Sequence, residues 1–104
     1  MQVKALQMHA LDNVAVCTAD TSQGDVVTVI DPEKGTTEIT SVSAIAFGNK
    51  ITLQDIGVGN VITKYGEMIG RAISPIAKGE LVNHLNIASQ PRVYADEYLA
   101  GRES

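Results

Sequence analysis

The sequence predicts a mainly β domain, and three observations carry that prediction. The apolar residues fall in short runs rich in Val and Ile, which suit a pleated, half-buried surface. Gly, Pro, Asn and Asp break those runs about every 8–12 residues, the spacing of turns in all-β domains. A turn-like motif also echoes along the chain. Asp55-Ile56-Gly57-Val58-Gly59-Asn60-Val61-Ile62 is matched by Pro75-Ile76-Ala77-Lys78-Gly79-Glu80-Leu81-Val82, with Asp20-Thr21-Ser22-Gln23-Gly24-Asp25-Val26-Val27 as a weaker third copy. Each copy puts a Gly where the backbone reverses before a new strand. Their unequal spacing excludes a solenoid.

Taken in order, strands are expected near Val3–Gln7, Val14–Cys17, Val26–Ile30 and Thr36–Val42. Others are expected near Ile45–Ala46, Val61–Thr63, Arg71–Ile73 and Val82–Ile87. Asp31-Pro32-Glu33-Lys34-Gly35 is a turn in which Pro fixes φ and Gly35 takes the positive φ, so Val26–Ile30 and Thr36–Val42 pair as a hairpin. Glu38 and Thr40 alternate with Ile39 and Ser41, which leaves one face of the second strand half-exposed. Thr52-Leu53-Gln54-Asp55-Ile56 reads as a short helical turn capped by Thr52. Residues 1–90 form the domain. Residues 91–104 form a tail, exposed or docked on a partner, with Pro91 blocking helix before it and Gly101 ending it.

Composition limits what such a domain does. At 104 residues the chain buries a modest core without metal or disulfide staples. Its net charge of −4 argues against a nucleic-acid binder, and 4% aromatic residues leave few platforms for stacking bases. Residues 1–48 hold two cations against six anions, whereas residues 49–87 hold four against three. An anionic ligand therefore meets the middle third more readily. The single Cys17, in an apolar run, reads as a small buried residue rather than a nucleophile. No apolar run approaches the ~20 residues of a membrane span, and the start does not resemble a secretion signal, so a cytoplasmic protein is expected.

Candidate chemistry is sparse. His9 precedes the polar turn Leu11-Asp12-Asn13 and reads as solvent-facing. In Asn83-His84-Leu85-Asn86, strand alternation would put His84 and Asn86 on one face. No second His stands at metal-ligand spacing, so this chain alone holds no metal. Lys64-Tyr65-Gly66-Glu67-Met68-Ile69-Gly70 is either a plain turn or a Gly-bounded loop whose Lys64 neutralises a carboxylate. Phosphate-loop, dinucleotide and Ser/His/Asp patterns are missing.

Four stretches carry a family resemblance. Met8-His9-Ala10-Leu11-Asp12-Asn13-Val14-Ala15-Val16 resembles the opening of altronate dehydratases. Gly48-Asn49-Lys50-Ile51-Thr52-Leu53-Gln54-Asp55-Ile56 resembles their Gly-His-Lys-x-Ala-Leu-x-Asp-Ile. Val61-Ile62-Thr63-Lys64-Tyr65-Gly66-Glu67-Met68-Ile69-Gly70 resembles their Val-Ile-Lys-Tyr-Gly-x-x-Ile-Gly, and Ile76-Ala77-Lys78-Gly79-Glu80 their Ile-x-x-Gly-Glu. The resemblance implies an SAF-type domain with a β-clip fold, acting as the small subunit of a hydro-lyase. That enzyme class dehydrates a sugar acid such as altronate to a 2-keto-3-deoxy acid in hexuronate catabolism. It further implies a large catalytic partner subunit, which would hold any divalent metal. Unpaired sheet edges add self-association as an expectation.

This chain departs from the pattern at its histidines. Asn49 stands where the family has His, and Leu81-Val82-Asn83-His84-Leu85-Asn86 stands where it has His-Val-His-x-His-Asn. Asn hydrogen-bonds but exchanges no proton. No catalytic residue is assigned. The expected substrate contacts are Lys50 and Lys64 on a carboxylate, with Asn49, Tyr65, Asn83, His84 and Asn86 beside them. Two alternatives stand beside this reading. One is a non-catalytic sugar-acid-binding or assembly module on the same fold. The other is a subunit of a related lyase for another hydroxy acid, such as sulfolactate.

Overall fold

The structure, a computed structural model, describes residues 2–83 and 85–89. His84 and the tail at 91–104 lie outside the described residues. Among the described residues there are nine strands: β1 (Gln2–Leu6), β2 (Val14–Cys17), β3 (Val26–Ile30), β4 (Thr36–Thr40), β5 (Lys50–Thr52), β6 (Val61–Lys64), β7 (Glu67–Ala72), β8 (Leu81–Val82) and β9 (Ile87–Ser89). Six of them form a curled sheet in the order β4-β3-β1-β2-β5-β8, and three form a second sheet in the order β6-β7-β9. The chain is mainly β, as its Val/Ile runs predict, and the described residues contain no helix.

Period-2 alternation decides which residues are buried. Val3 and Ala5 of β1, Val27 and Val29 of β3, and Ile39 of β4 point to one side of the six-stranded sheet. They pack there with Ala15, Cys17, Ile45 and Ile51. On the other side, Val14 and Val82 meet Ile62 and Ala72 of the second sheet, together with Ile56 and Ile76. One sheet therefore has a core on each face, and the second core joins it to the three-stranded sheet. Each fully buried Val or Ile contributes about 1.5–3 kcal/mol of burial free energy.

The echoed turn is the organising device, and it occurs four times. Ala44-Ile45-Ala46-Phe47-Gly48-Asn49-Lys50 adopts the same conformation as the three copies visible in the sequence. Gly24, Gly48, Gly59 and Gly79 all have φ between 84° and 91°, the left-handed region that a side chain disfavours. The turns join in pairs, with Thr21 bridging Ile45 and Ile56 bridging Ile76. In each pair an Asp carboxylate crosses over: Asp20 accepts the Phe47 N–H at 2.9 Å, and Asp55 accepts the Lys78 N–H at 2.8 Å. Each turn Gly also donates to the carbonyl of one small buried residue: Ser41, Cys17, Ala72 and Thr52 in turn. Cys17 is thus a small buried core residue. Burial pushes its thiol pKa up against a weaker opposing hydrogen bond with Thr21, which suits it poorly for nucleophilic work.

Four local expectations need correction. Thr52–Ile56 is not a helical turn: Thr52 ends β5, and its hydroxyl donates to the Ala77 carbonyl at 2.7 Å instead of capping a helix. Asn83, Leu85 and Asn86 are not strand but turn residues between β8 and β9, so strand alternation does not apply to them. In the Asp31–Gly35 turn the positive φ belongs to Lys34, at 71°. Gly35 is needed for space, because a Cβ there would stand 2.6 Å from the Asp31 Oδ2. The seventh strand also starts earlier than expected, at Glu67, which leaves Gly70 inside a strand rather than bounding a loop.

Candidate functional site

Lys64-Tyr65-Gly66-Glu67 is a two-residue hairpin turn joining β6 to β7. Tyr65 and Gly66 have φ of 57° and 75°, the mirror-image geometry that matches the twist of paired strands. Tyr in that region costs about 1 kcal/mol. The carboxylate of Asp12, only 5% exposed, offsets this cost. Its two oxygens accept the Tyr65 N–H at 3.0 Å and the Gly66 N–H at 2.8 Å. Such charge-assisted bonds contribute about 1.5–3 kcal/mol each. Asn13 extends the clamp by accepting the Thr63 N–H at 2.9 Å and donating to the Val61 carbonyl at 2.9 Å, which seals the free edge of β6. The segment after β1 therefore sets the position of the turn that carries Lys64.

His9 completes this hub. Its Nδ1 accepts the Leu11 N–H at 3.1 Å, so the neutral ring carries its proton on Nε2. The ring packs face-on against Gly66, where a Cβ would stand 3.0–3.1 Å from three ring atoms. His9 is exposed, as its sequence position predicts, but it is also fitted to the turn. Sequence reasoning did not find the union of His9, Asp12 and Gly66. The only available signal was that the two stretches resembling the family, Met8–Val16 and Val61–Gly70, both contain unusually polar turns.

Lys50 lies in the six-stranded sheet and Lys64 in the three-stranded one, close enough for their charges to interact. Lys50 pairs with Val16 on one side and Val82 on the other, on the face turned toward the second sheet. Lys64 ends β6 across the gap. Burial lowers the pKa of Lys50, and the charge of Lys64 lowers it further. The Lys64 ammonium lies 5.2 Å from the centre of the Tyr65 ring, within cation–π range. Of the expected contact residues, Lys64 and Tyr65 are therefore in contact, and the charge of Lys64 reaches Lys50.

The asparagines lie elsewhere. Asn83 and Asn86 build their own turn: Asn86 Oδ1 accepts the Asn83 N–H at 2.9 Å, and Asn83 Oδ1 accepts the Leu85 N–H at 2.9 Å. They border a hollow of about 320 Å³ with Ser43, Ser74 and Glu80, and neither lysine lines it. Asn49 follows Gly48 in its turn, and its amide donates to the Ala46 carbonyl at 3.3 Å. Among the described residues no three His, Cys, Asp or Glu side chains gather to hold a metal ion, so the divalent metal implied by the resemblance finds no ligand set here. No helix of the described residues is long and apolar enough to cross a membrane.

The molecule is a two-sheet β domain with two electrostatically interacting lysines, one from each sheet. The chain belongs to the altronate/galactarate dehydratase SAF domain family, whose pattern matches residues 3–90. It is 40% identical over 81 residues to altronate dehydratase of Escherichia coli (strain K12). That match covers 78% of this chain but 15% of the relative, so the chain spans a small part of that protein's length.

Proposed function

We propose that this chain is the SAF-domain component of a sugar-acid dehydratase of the altronate type, a cytoplasmic small subunit that holds the substrate carboxylate. The observation that carries this reading is the electrostatic interaction of Lys50 and Lys64. The two ammonium groups feel each other's charge, and a carboxylate bound near both would relieve that repulsion. Tyr65 flanks Lys64, and the asparagine-lined hollow offers amides and hydroxyls suited to a polyhydroxy chain. Loss of water removes a proton beside the carboxylate and expels a hydroxyl, which needs a base and an acid. This chain's residues bind and orient; the large catalytic subunit supplies the base, the acid and any divalent metal.

Titration of altronate and galactarate into the full chain and into its complex with the catalytic subunit tests this. Lys64→Ala is expected to weaken binding about tenfold, the loss of one charge-assisted contact. Unchanged affinity removes Lys64 from the site.

A second reading is a binding or assembly module without a part in turnover. What favours it is the fate of Asn49 and Asn83, which stand at histidine positions of the family pattern. Here Asn49 Nδ2 and Asn83 Oδ1 are engaged in the local turns. Turnover by the reconstituted complex that survives removal of both amides would fit this module.

A further inference from the structure

The local turn asks of His9 only an acceptor. Its Nδ1 accepts the N–H of Leu11, two residues on, at 3.1 Å, and the side-chain oxygen of an asparagine or aspartate makes the same kind of turn. The imidazole supplies more than that. Its ring lies against Gly66, where a Cβ would stand 3.0 Å from Cδ2 and 3.1 Å from both Cγ and Nε2. Any side chain there would displace the ring, and the buried Asp12 holds the Gly66 N–H at 2.8 Å. Ring and turn are thus fixed to each other through two separate contacts, one at Nδ1 and one on the ring face. What remains is the Nε2–H. It meets no acceptor among the described residues, and the side chain is exposed.

A donor that is held in place, exposed and without a partner in the fold is built as a ligand contact, because little freedom is lost when it binds. Its neighbours indicate the ligand's chemistry. The hairpin turn it packs on carries Lys64 two residues before Gly66, so the two Cα atoms are at most about 7.6 Å apart. The Lys64 ammonium in turn lies 5.2 Å from the centre of the Tyr65 ring. A cation and a neutral N–H donor at one tight turn suit an anion that also carries oxygen acceptors along a short chain, which describes a hydroxy acid. Resting on the carboxylate reading above, we propose that His9 is a further binding residue of that site. Its Nε2–H donates to a hydroxyl oxygen of the sugar acid whose carboxylate Lys64 holds.

The test divides the imidazole into its two functions. His9→Asn keeps an acceptor for the Leu11 N–H and loses the outer donor. His9→Gln carries an amide N–H to the position of Nε2 and gives up the local turn. Altronate and galactarate are titrated into the full chain and each variant, read by calorimetry and, in wild type, by the nitrogen NMR signals of the His9 ring. His9→Asn is expected to melt with wild type and to bind at least about fivefold more weakly. His9→Gln is expected to melt lower yet bind more tightly than His9→Asn, and the wild-type Nε2 signal is expected to shift as the site fills. Wild-type affinity in folded His9→Asn overturns the proposal. So does weakening confined to His9→Gln, which marks a purely structural cap, or an Nε2 signal that stays fixed while the acid binds. Lys64→Ala separates the two assignments. Weaker binding there with His9→Asn unaffected keeps the carboxylate site and removes His9, and the reverse keeps His9 and removes Lys64. A wild-type chain that binds neither acid overturns both.

Discussion

The bridged turn pair built on Thr21 and Ile45 and the pair built on Ile56 and Ile76 have the same backbone but different surroundings. In the first pair, a Cβ added at Gly24 or Gly48 would meet nothing within 4 Å. In the second, Gly59 is equally open, but a Cβ at Gly79 would fall on the Thr40 carbonyl oxygen. All four glycines answer a conformational demand, and only Gly79 also answers a spatial one. The reason is that the last turn closes the structure. Val42 N–H donates to the Gly79 carbonyl at 3.0 Å, which ties the end of β4 to the turn before β8. One motif can therefore serve as a surface reversal in one half and as a packed joint in the other.

The largest effect is expected where these two demands coincide. Gly79→Ala should cost more than about 3 kcal/mol, because backbone cannot yield as a flexible side chain can. Gly24→Ala should cost about 1–2 kcal/mol, from φ alone. Urea unfolding of the two variants checks the ratio, and equal losses would erase the distinction between the halves.

Thr52→Val comes next. Its buried hydroxyl donates to the Ala77 carbonyl and accepts the Glu80 N–H at 3.0 Å, so its loss should cost about 1–3 kcal/mol. Cys17→Ala, at the matching position of the first pair, should cost less, since a small group and one weak thiol hydrogen bond with Thr21 are lost. Thermal melts of the two variants show whether the second pair depends on the polar joint at this position more than the first does.

Asp12→Asn tests the clamp on the Lys64 turn. One amide oxygen replaces two carboxylate oxygens, so one of the Tyr65 and Gly66 N–H groups loses its acceptor. A loss of about 1–3 kcal/mol is expected, with the Tyr65 and Gly66 amides exchanging hydrogen faster than their neighbours.

The smallest effect belongs to Lys50. Its pKa is lower in the folded state than in the unfolded chain, so the unfolded state binds more protons as pH rises through that interval. The cost of its charge is fully present at neutral pH and fades as pH climbs through the lowered pKa toward the ordinary lysine range. Lys50→Gln should therefore raise Tm slightly at pH 7, and the gain should shrink on alkalinisation. A gain that grows with pH would show that burial and Lys64 do not govern this side chain.

Much of the fold was legible because local chemistry and tertiary structure agree. The Val26–Ile30 and Thr36–Thr40 hairpin, and three of the four turns, follow directly from Gly, Pro and Val/Ile placement. The fourth turn escaped notice because Ala44-Ile45-Ala46-Phe47 looks like a strand; only Gly48 signals reversal, and the bridge to Thr21 that fixes it is long-range. Thr52 suggested a cap because a hydroxyl beside a polar stretch serves either purpose, and only the approach of Ala77 and Glu80 decides. Asn83, Leu85 and Asn86 read as strand from their apolar flanks, yet Asn side chains compete for backbone groups and form a turn instead. Within the site, Lys64 and Tyr65 were visible as a motif. The burial of Asp12 was not, because both its partners lie more than fifty positions away.

The parallel pairing of β1 with β3 has a kinetic consequence. β1 and β3 can pair only once the long connection through β2 has closed on itself, and the joint at β8 draws on the far end of the domain. Loop closure must be met before contacts repay it, which places this chain among slow, all-or-none folders rather than those that assemble from local pieces. A truncated copy ending before Leu81 would leave the Lys50 edge bare, an adhesive strip of unpaired backbone awaiting any passing strand.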